Sequence, residues 1–201
     1  MKLLKIAEKI LPLLFWVLLI FAFDTPRFAY YTLLAALIHE LGHVAFGAMV
    51  GEGRLFPSAH PSGFRIKASK FISYKDELIL IMGGPVLNLA VFIGAKILFS
   101  LTGGEFFYDF AFINLLTAIT NLLPIKAYDG YRIIETLILL LSKRPESHLS
   151  LLRAASLCFT ALLSFLSLYF LLKLGEGYWI FALFFSSLLI DLKKLARDNV
   201  F

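Results

Sequence analysis

Six stretches of the chain carry almost no charge: residues 10–23, 28–50, 78–101, 106–125, 154–172 and 178–190. A helix needs about 20 apolar residues to cross the hydrocarbon of a bilayer, and most of these runs reach or approach that length. In lipid only helices and closed barrels satisfy their own backbone, so the runs restrict the architecture more than any other feature. Composition agrees: 60% of residues are apolar and 16% charged, against roughly 45–50% and about 25% in soluble domains. A cytosolic domain, a disordered tail and a collagen-like fibre are excluded on that ground. Cys158 is the one cysteine, which excludes an intramolecular disulfide and any cysteine-based metal site.

The loops orient the chain. Of its 19 Lys and Arg residues, 16 fall in the N-terminus, 51–77, 126–153 and the C-terminus; Arg27, Lys96 and Lys173 fall on the other side. The positive-inside rule then puts both termini in the cytoplasm of a six-span protein. The first run follows Lys2 and Lys5 but ends Phe21-Ala22-Phe23-Asp24 without a small-residue cleavage site, so a retained helix is expected rather than a signal peptide. Residues 51–77 hold Gly51, Gly53, Pro57, Pro61 and Gly63, then alternate Phe64, Ile66 and Ala68 with Arg65, Lys67 and Ser69. That pattern predicts a short strand or hairpin on the cytoplasmic side. Residues 131–142 predict a short helix at the interface, too short to cross. The expected fold is an all-α polytopic membrane protein with these two additions. It forms one integral-membrane domain over 1–201, with a core at 28–142 and additional spans in 1–27 and 143–201.

The second run is interrupted by His39-Glu40-Leu41-Gly42-His43, the pattern H-E-x-x-H. Residues four apart share a helix face, so both imidazoles can address one ion, with Glu40 beside them as base on a water. His39 lies eleven residues after Phe28, about 16 Å along a helix and near mid-membrane. A buried histidine is ordinarily a satisfied core residue and a buried glutamate half of an ion pair. At this depth ionisable groups are costly and usually functional, which favours metal binding.

Two histidines leave a catalytic zinc one protein ligand short. Asp129 is the best placed candidate: Pro124 ends the fourth helix and Gly130 permits a turn just after the carboxylate. The alternative reading makes Asp129 the N-cap of the following helix. Other polar residues have structural readings. Lys96 would snorkel to the headgroups. Asp109 would favour a helix start. Arg132 would pair with Glu135 three residues on. His60 and His148 lack ligand-type spacing, and Cys158 behaves as a small hydrophobe.

These motifs together resemble one family. His39-Glu40-Leu41-Gly42-His43, Gly84-Pro85-Val86-Leu87-Asn88 and Asn121…Pro124…Asp129-Gly130, in that order over about residues 28–142, look like the site-2 protease family of intramembrane zinc metalloproteases. Within that family (peptidase family M50) the six-span pattern is most similar to the stage IV sporulation protease branch. The resemblance implies one zinc ion per chain held by His39, His43 and Asp129, with Glu40 as catalytic acid and base. It makes Asn88 and Asn121 helpers near the substrate or the oxyanion. It implies hydrolysis of membrane-associated or single-span proteins in a bacterial cytoplasmic membrane, alongside a regulatory membrane partner or a second copy of the chain, and no nucleic acid. Two departures stand out: Tyr128 and Tyr131 flank Asp129-Gly130, and 201 residues leave no room for an inserted PDZ-like or C-terminal CBS domain. Rival readings are a membrane metal transporter that uses the histidines and aspartate as a transit site, and a catalytically silent relative that binds membrane helices.

Overall fold

The structure is a computed structural model that describes residues 26–51, 55–60, 63–68, 73–174, 184–189 and 192. The expected first span and the start of the sixth lie outside the described residues. Helix α1 runs Pro26–Met49, followed by strands β1 (Leu55–His60) and β2 (Gly63–Ala68). The strands pair antiparallel in a register that runs from Leu55 opposite Ala68 to His60 opposite Gly63. Helices α2 (Tyr74–Thr102), α3 (Glu105–Asn121), α4 (Asp129–Leu141) and α5 (Pro145–Leu174) follow, and residues 184–189 are helical.

Local chemistry sets the helix ends. Ser73 caps α2: its side chain accepts from the Asp76 amide at 3.2 Å, and Asp76 and Glu77 place negative charge in the first turn. Gly103 closes α2 at φ +67°, the left-handed cap that glycine adopts without steric cost, with its N–H on the Phe99 carbonyl at 2.8 Å. Pro145 opens α5, where a missing N–H costs nothing. Nine residues of α5 therefore precede the apolar run at 154–172: hydropathy marks the part of a helix in lipid, and the helix itself continues into the charged flank.

Among the described residues, α1, α2 and α5 are long and apolar enough to cross a membrane. Helix α3, expected to be a crossing, has 17 residues, about 25 Å of helix against a hydrocarbon layer of about 30 Å. Large apolar side chains such as Leu37, Ile93, Phe112 and Phe165 face outward, the reverse of a soluble protein and the surface a bilayer covers.

Helices α1, α2 and α3 pack against one another, α4 lies against α2, and α5 against α4. Where α1 meets α2 the backbones touch: a Cβ on Gly42 would stand 2.2 Å from the Gly83 carbonyl oxygen, and one on Gly83 2.4 Å from that of Gly42. Small residues permit such crossings in membranes. Further along α2, Ala95 forms a core with Phe110 and Ala111, with Tyr31, Ile38, Val91 and Phe92 around it. Arg27 reaches Asp109 at 2.7 Å and Glu105 at 3.6 Å, so Asp109 joins the starts of α1 and α3 as well as standing near a helix N-terminus. Lys96 lies 5.7 Å from the Phe99 ring centroid and 5.6 Å from that of Tyr108, a cation–π setting that simple snorkelling did not anticipate.

Candidate metal centre

Helix α1 presents His39 and His43 one turn apart on its α2-facing side, and the start of α4 brings Asp129 to them. His39 Nε2 lies 2.9 Å from Asp129 Oδ2, His43 Nε2 lies 3.0 Å from the same oxygen, and the two nitrogens are 3.1 Å apart. The histidines are buried and the aspartate side chain is 13% exposed. A tetrahedral zinc with bonds of about 2.0–2.1 Å needs donor separations of about 3.3 Å. The observed triangle is only slightly tighter, and its donors account for three of the four positions of such an ion.

The opposite sides of the rings decide what the triangle is made of. His39 Nδ1 is 2.8 Å from Asn88 Oδ1, and His43 Nδ1 is 2.9 Å from the Leu80 carbonyl oxygen. A carbonyl only accepts, so His43 must donate from Nδ1; the Gly84 amide approaches that nitrogen at a longer 3.3 Å. The amide of Asn88 is oriented by two further acceptors. Its Nδ2 donates to the Ala35 carbonyl at 3.0 Å and to Asn114 Oδ1 at 2.9 Å, so its oxygen faces His39 and that ring also donates from Nδ1. Both Nε2 atoms then carry lone pairs. Two lone pairs and a carboxylate oxygen within 3.1 Å repel one another unless a cation lies among them. The donor set therefore fits a divalent metal, and neutral imidazoles held through their far nitrogens are how such ligands are oriented.

Asp129 is the first residue of α4, and the cap position belongs to Tyr128, whose side chain makes no capping bond. The alternative reading is thus half right: a helix does start here, but the carboxylate turns to the imidazoles. Burial pushes the Tyr128 phenol up, which keeps its hydroxyl neutral. Gly130 is required by a close approach, since a Cβ there would sit 2.1 Å from the Leu122 carbonyl oxygen.

Glu40 is half-buried, within electrostatic range of His39, His43 and Asp129. Among the described residues no hydrogen bond or ion pair holds its carboxylate. Gly84 lies close against both rings: a Cβ on it would stand 2.6 Å from His43 Nε2 and 2.7 Å from His39 Nε2. The two asparagines expected near an oxyanion are placed differently. Asn88 is fully buried with both amide protons committed, so it supports His39 and has no donor to offer an oxyanion. Asn121 donates to the Thr117 carbonyl at 2.9 Å, and no described contact joins it to the triangle.

Sequence reasoning passed over Asn114 and the Leu80 carbonyl. An asparagine at mid-run in 106–125 was the available signal for the first; a backbone carbonyl leaves none. Arg132 pairs across helices with Glu77 at 3.4 Å instead of with Glu135, joining the first turn of α4 to that of α2. Both side chains are about 30% exposed, so the pair contributes about 0.2–1 kcal/mol. Glu77→Gln is expected to lower zinc affinity less than tenfold, read by chelator competition. The exchange Glu77→Arg with Arg132→Glu should restore it; a single variant indistinguishable from wild type would show that the pair holds nothing in place.

No protein-family model matches the chain. It is 31% identical over 168 residues to stage IV sporulation protein FB of Bacillus subtilis (strain 168), a match covering 79% of this chain and 56% of that protein. The chain thus spans about half the length of the curated relative it matches. Its fold is similar to that of the site-2 protease from Methanocaldococcus jannaschii, with a TM-score of 0.59 and 20% identity over 89% of this chain and 85% of that one. Fold and site together define a helical integral membrane protein with a buried His–His–Asp cluster. The chain is thus similar in sequence to a stage IV sporulation protein and in fold to a site-2 protease.

Proposed function

We propose that this protein is a zinc-dependent intramembrane endopeptidase acting on single-span or membrane-associated proteins. The observation that carries the reading is the convergence of His39 Nε2, His43 Nε2 and Asp129 Oδ2 within 3.1 Å, with a glutamate beside them that no other described residue bonds. His39, His43 and Asp129 would hold the ion. Zinc, when bound, supplies Lewis acidity, lowering the pKa of water to about 7 and polarising a carbonyl. Glu40 takes a proton from the attacking water and returns it to the departing amine.

The wider reading is one membrane domain of six spans with both termini in the cytoplasm of a bacterial cell. Water enters from the side that holds 51–77 and 126–153. A regulatory membrane partner or a second copy of the chain would control access. The test is co-expression with candidate single-span membrane proteins, followed by assay of the purified pair in detergent. A new fragment should appear, vanish on zinc chelation and return when zinc is restored. A purified, folded chain that binds no metal would sink the proposal, as would a fragment that survives chelation.

A further inference from the structure

Asn114 lies on α3, fully buried, and does not touch the metal triangle. Its hydrogen bonds nevertheless run to it. Asn114 Nδ2 donates to the Phe110 carbonyl at 2.9 Å, one turn back on its own helix. A carbonyl cannot donate, so the Asn114 amide is oriented with its oxygen towards α2. There it accepts from Asn88 Nδ2 at 2.9 Å. Asn88 in turn offers its oxygen to His39 Nδ1 at 2.8 Å. Each step leaves one orientation for the next, from a backbone carbonyl on α3 through α2 to a ring nitrogen on α1.

We infer that Asn114 is a positioning residue: through Asn88 it holds His39 with the proton on Nδ1 and the lone pair of Nε2 turned to the metal site. The inference rests on the zinc reading of that triangle. Turning the Asn88 amide over would set its oxygen against the Ala35 carbonyl and Asn114 Oδ1 together. It would also bring Nδ2 to His39 Nδ1, which would then have to accept and would carry its proton on Nε2. Asn114 supplies one of the two acceptors that forbid this, and Ala35 the other. His43 depends on no side chain in the same way, because its Nδ1 donates to the Leu80 carbonyl. The two histidines therefore differ in what holds them, and Asn114 bears on one of them only. Two fully buried asparagines in the apolar packing of three helices are costly on general grounds, and this arrangement satisfies both amide protons of Asn88 and one of Asn114.

The test uses the full chain, labelled with nitrogen-15 in histidine and freed of zinc, and reads the tautomer of each ring by NMR. Wild type should show both His39 and His43 protonated at Nδ1. Asn114→Leu, similar in shape but without an acceptor, should turn His39 into a mixture of tautomers and leave His43 unchanged. Its zinc affinity, measured by chelator competition, should fall about tenfold, the low end for residues that orient a ligand, because Ala35 still holds one Asn88 proton. Three results would overturn the inference: His39 without a proton on Nδ1 in wild type, a variant equal to wild type in both readouts, or His39 and His43 changing alike. If the variant does not fold, the wild-type spectrum alone still decides. A wild type with the expected tautomers that binds no zinc would defeat the metal reading and leave the relay standing.

Discussion

Replacing Glu40 by glutamine is expected to lower peptide cleavage by about 100- to 10,000-fold, the range for a lost general acid and base, while zinc stays at one per chain. The amide keeps the shape of the side chain and removes the group that accepts the proton. None of the three converging donor atoms belongs to residue 40, so the metal site is untouched. Among the described residues no hydrogen bond or ion pair holds the carboxylate, so the substitution orphans no partner and the fold should tolerate it. Cleavage of a single-span substrate and elemental analysis of the same preparation give the two numbers. Cleavage near the wild-type level with the metal retained would show that Glu40 carries no proton, and the mechanism would need another base.

The second large effect is expected from a single methyl group. Gly84→Ala should lower zinc affinity by about 100-fold, the upper end of what disturbing the surroundings of metal ligands costs. The added carbon would stand 2.6 Å from His43 Nε2 and His39 Cε1 and 2.7 Å from His39 Nε2, well inside van der Waals contact. The rings cannot retreat, because Asn88 and the Leu80 carbonyl hold their far nitrogens. Helix propensity works the other way: alanine in a helix is favoured over glycine by about 1 kcal/mol, so α2 itself gains. Gly94→Ala is the matching control on the same helix, since a Cβ there meets nothing within 4 Å. Zinc bound per chain in the two purified variants settles the matter. Equal zinc in both would mean that the site can spread to accept the methyl group.

What could be read beforehand, and what could not, follows from the range of each interaction. His39 and His43 were legible because one helical turn separates them and chemistry requires that spacing. Asp129 was legible only as a candidate. Its alternative, a helix cap, uses the same residues, and the choice depends on a side-chain direction fixed by α1, some ninety residues away. Asn88 was recognisable as part of a motif while its task was misjudged, since spacing does not reveal that Ala35 and Asn114 consume both of its protons. Arg132 went to the wrong partner for the same reason: Glu135 is near in sequence, whereas Glu77 is near only after α2 and α4 have packed. Helix positions followed hydropathy closely for α1 and α2. They failed at the start of α5, where helix geometry continues beyond the apolar layer that the hydropathy measures.

The contact of Gly42 with Gly83 bears on how the protein can move. With two backbones touching and no side chain between them, α1 cannot slide along α2 without driving a carbonyl into a peptide unit. His39, His43, Asn88 and the Leu80 carbonyl thus travel as one rigid body. Helix α4 packs on α2 and is tied to that body by Asp129 and the partly exposed Arg132–Glu77 pair. The two imidazoles are thus set by the α1–α2 contact, whereas the third donor comes from a helix outside it.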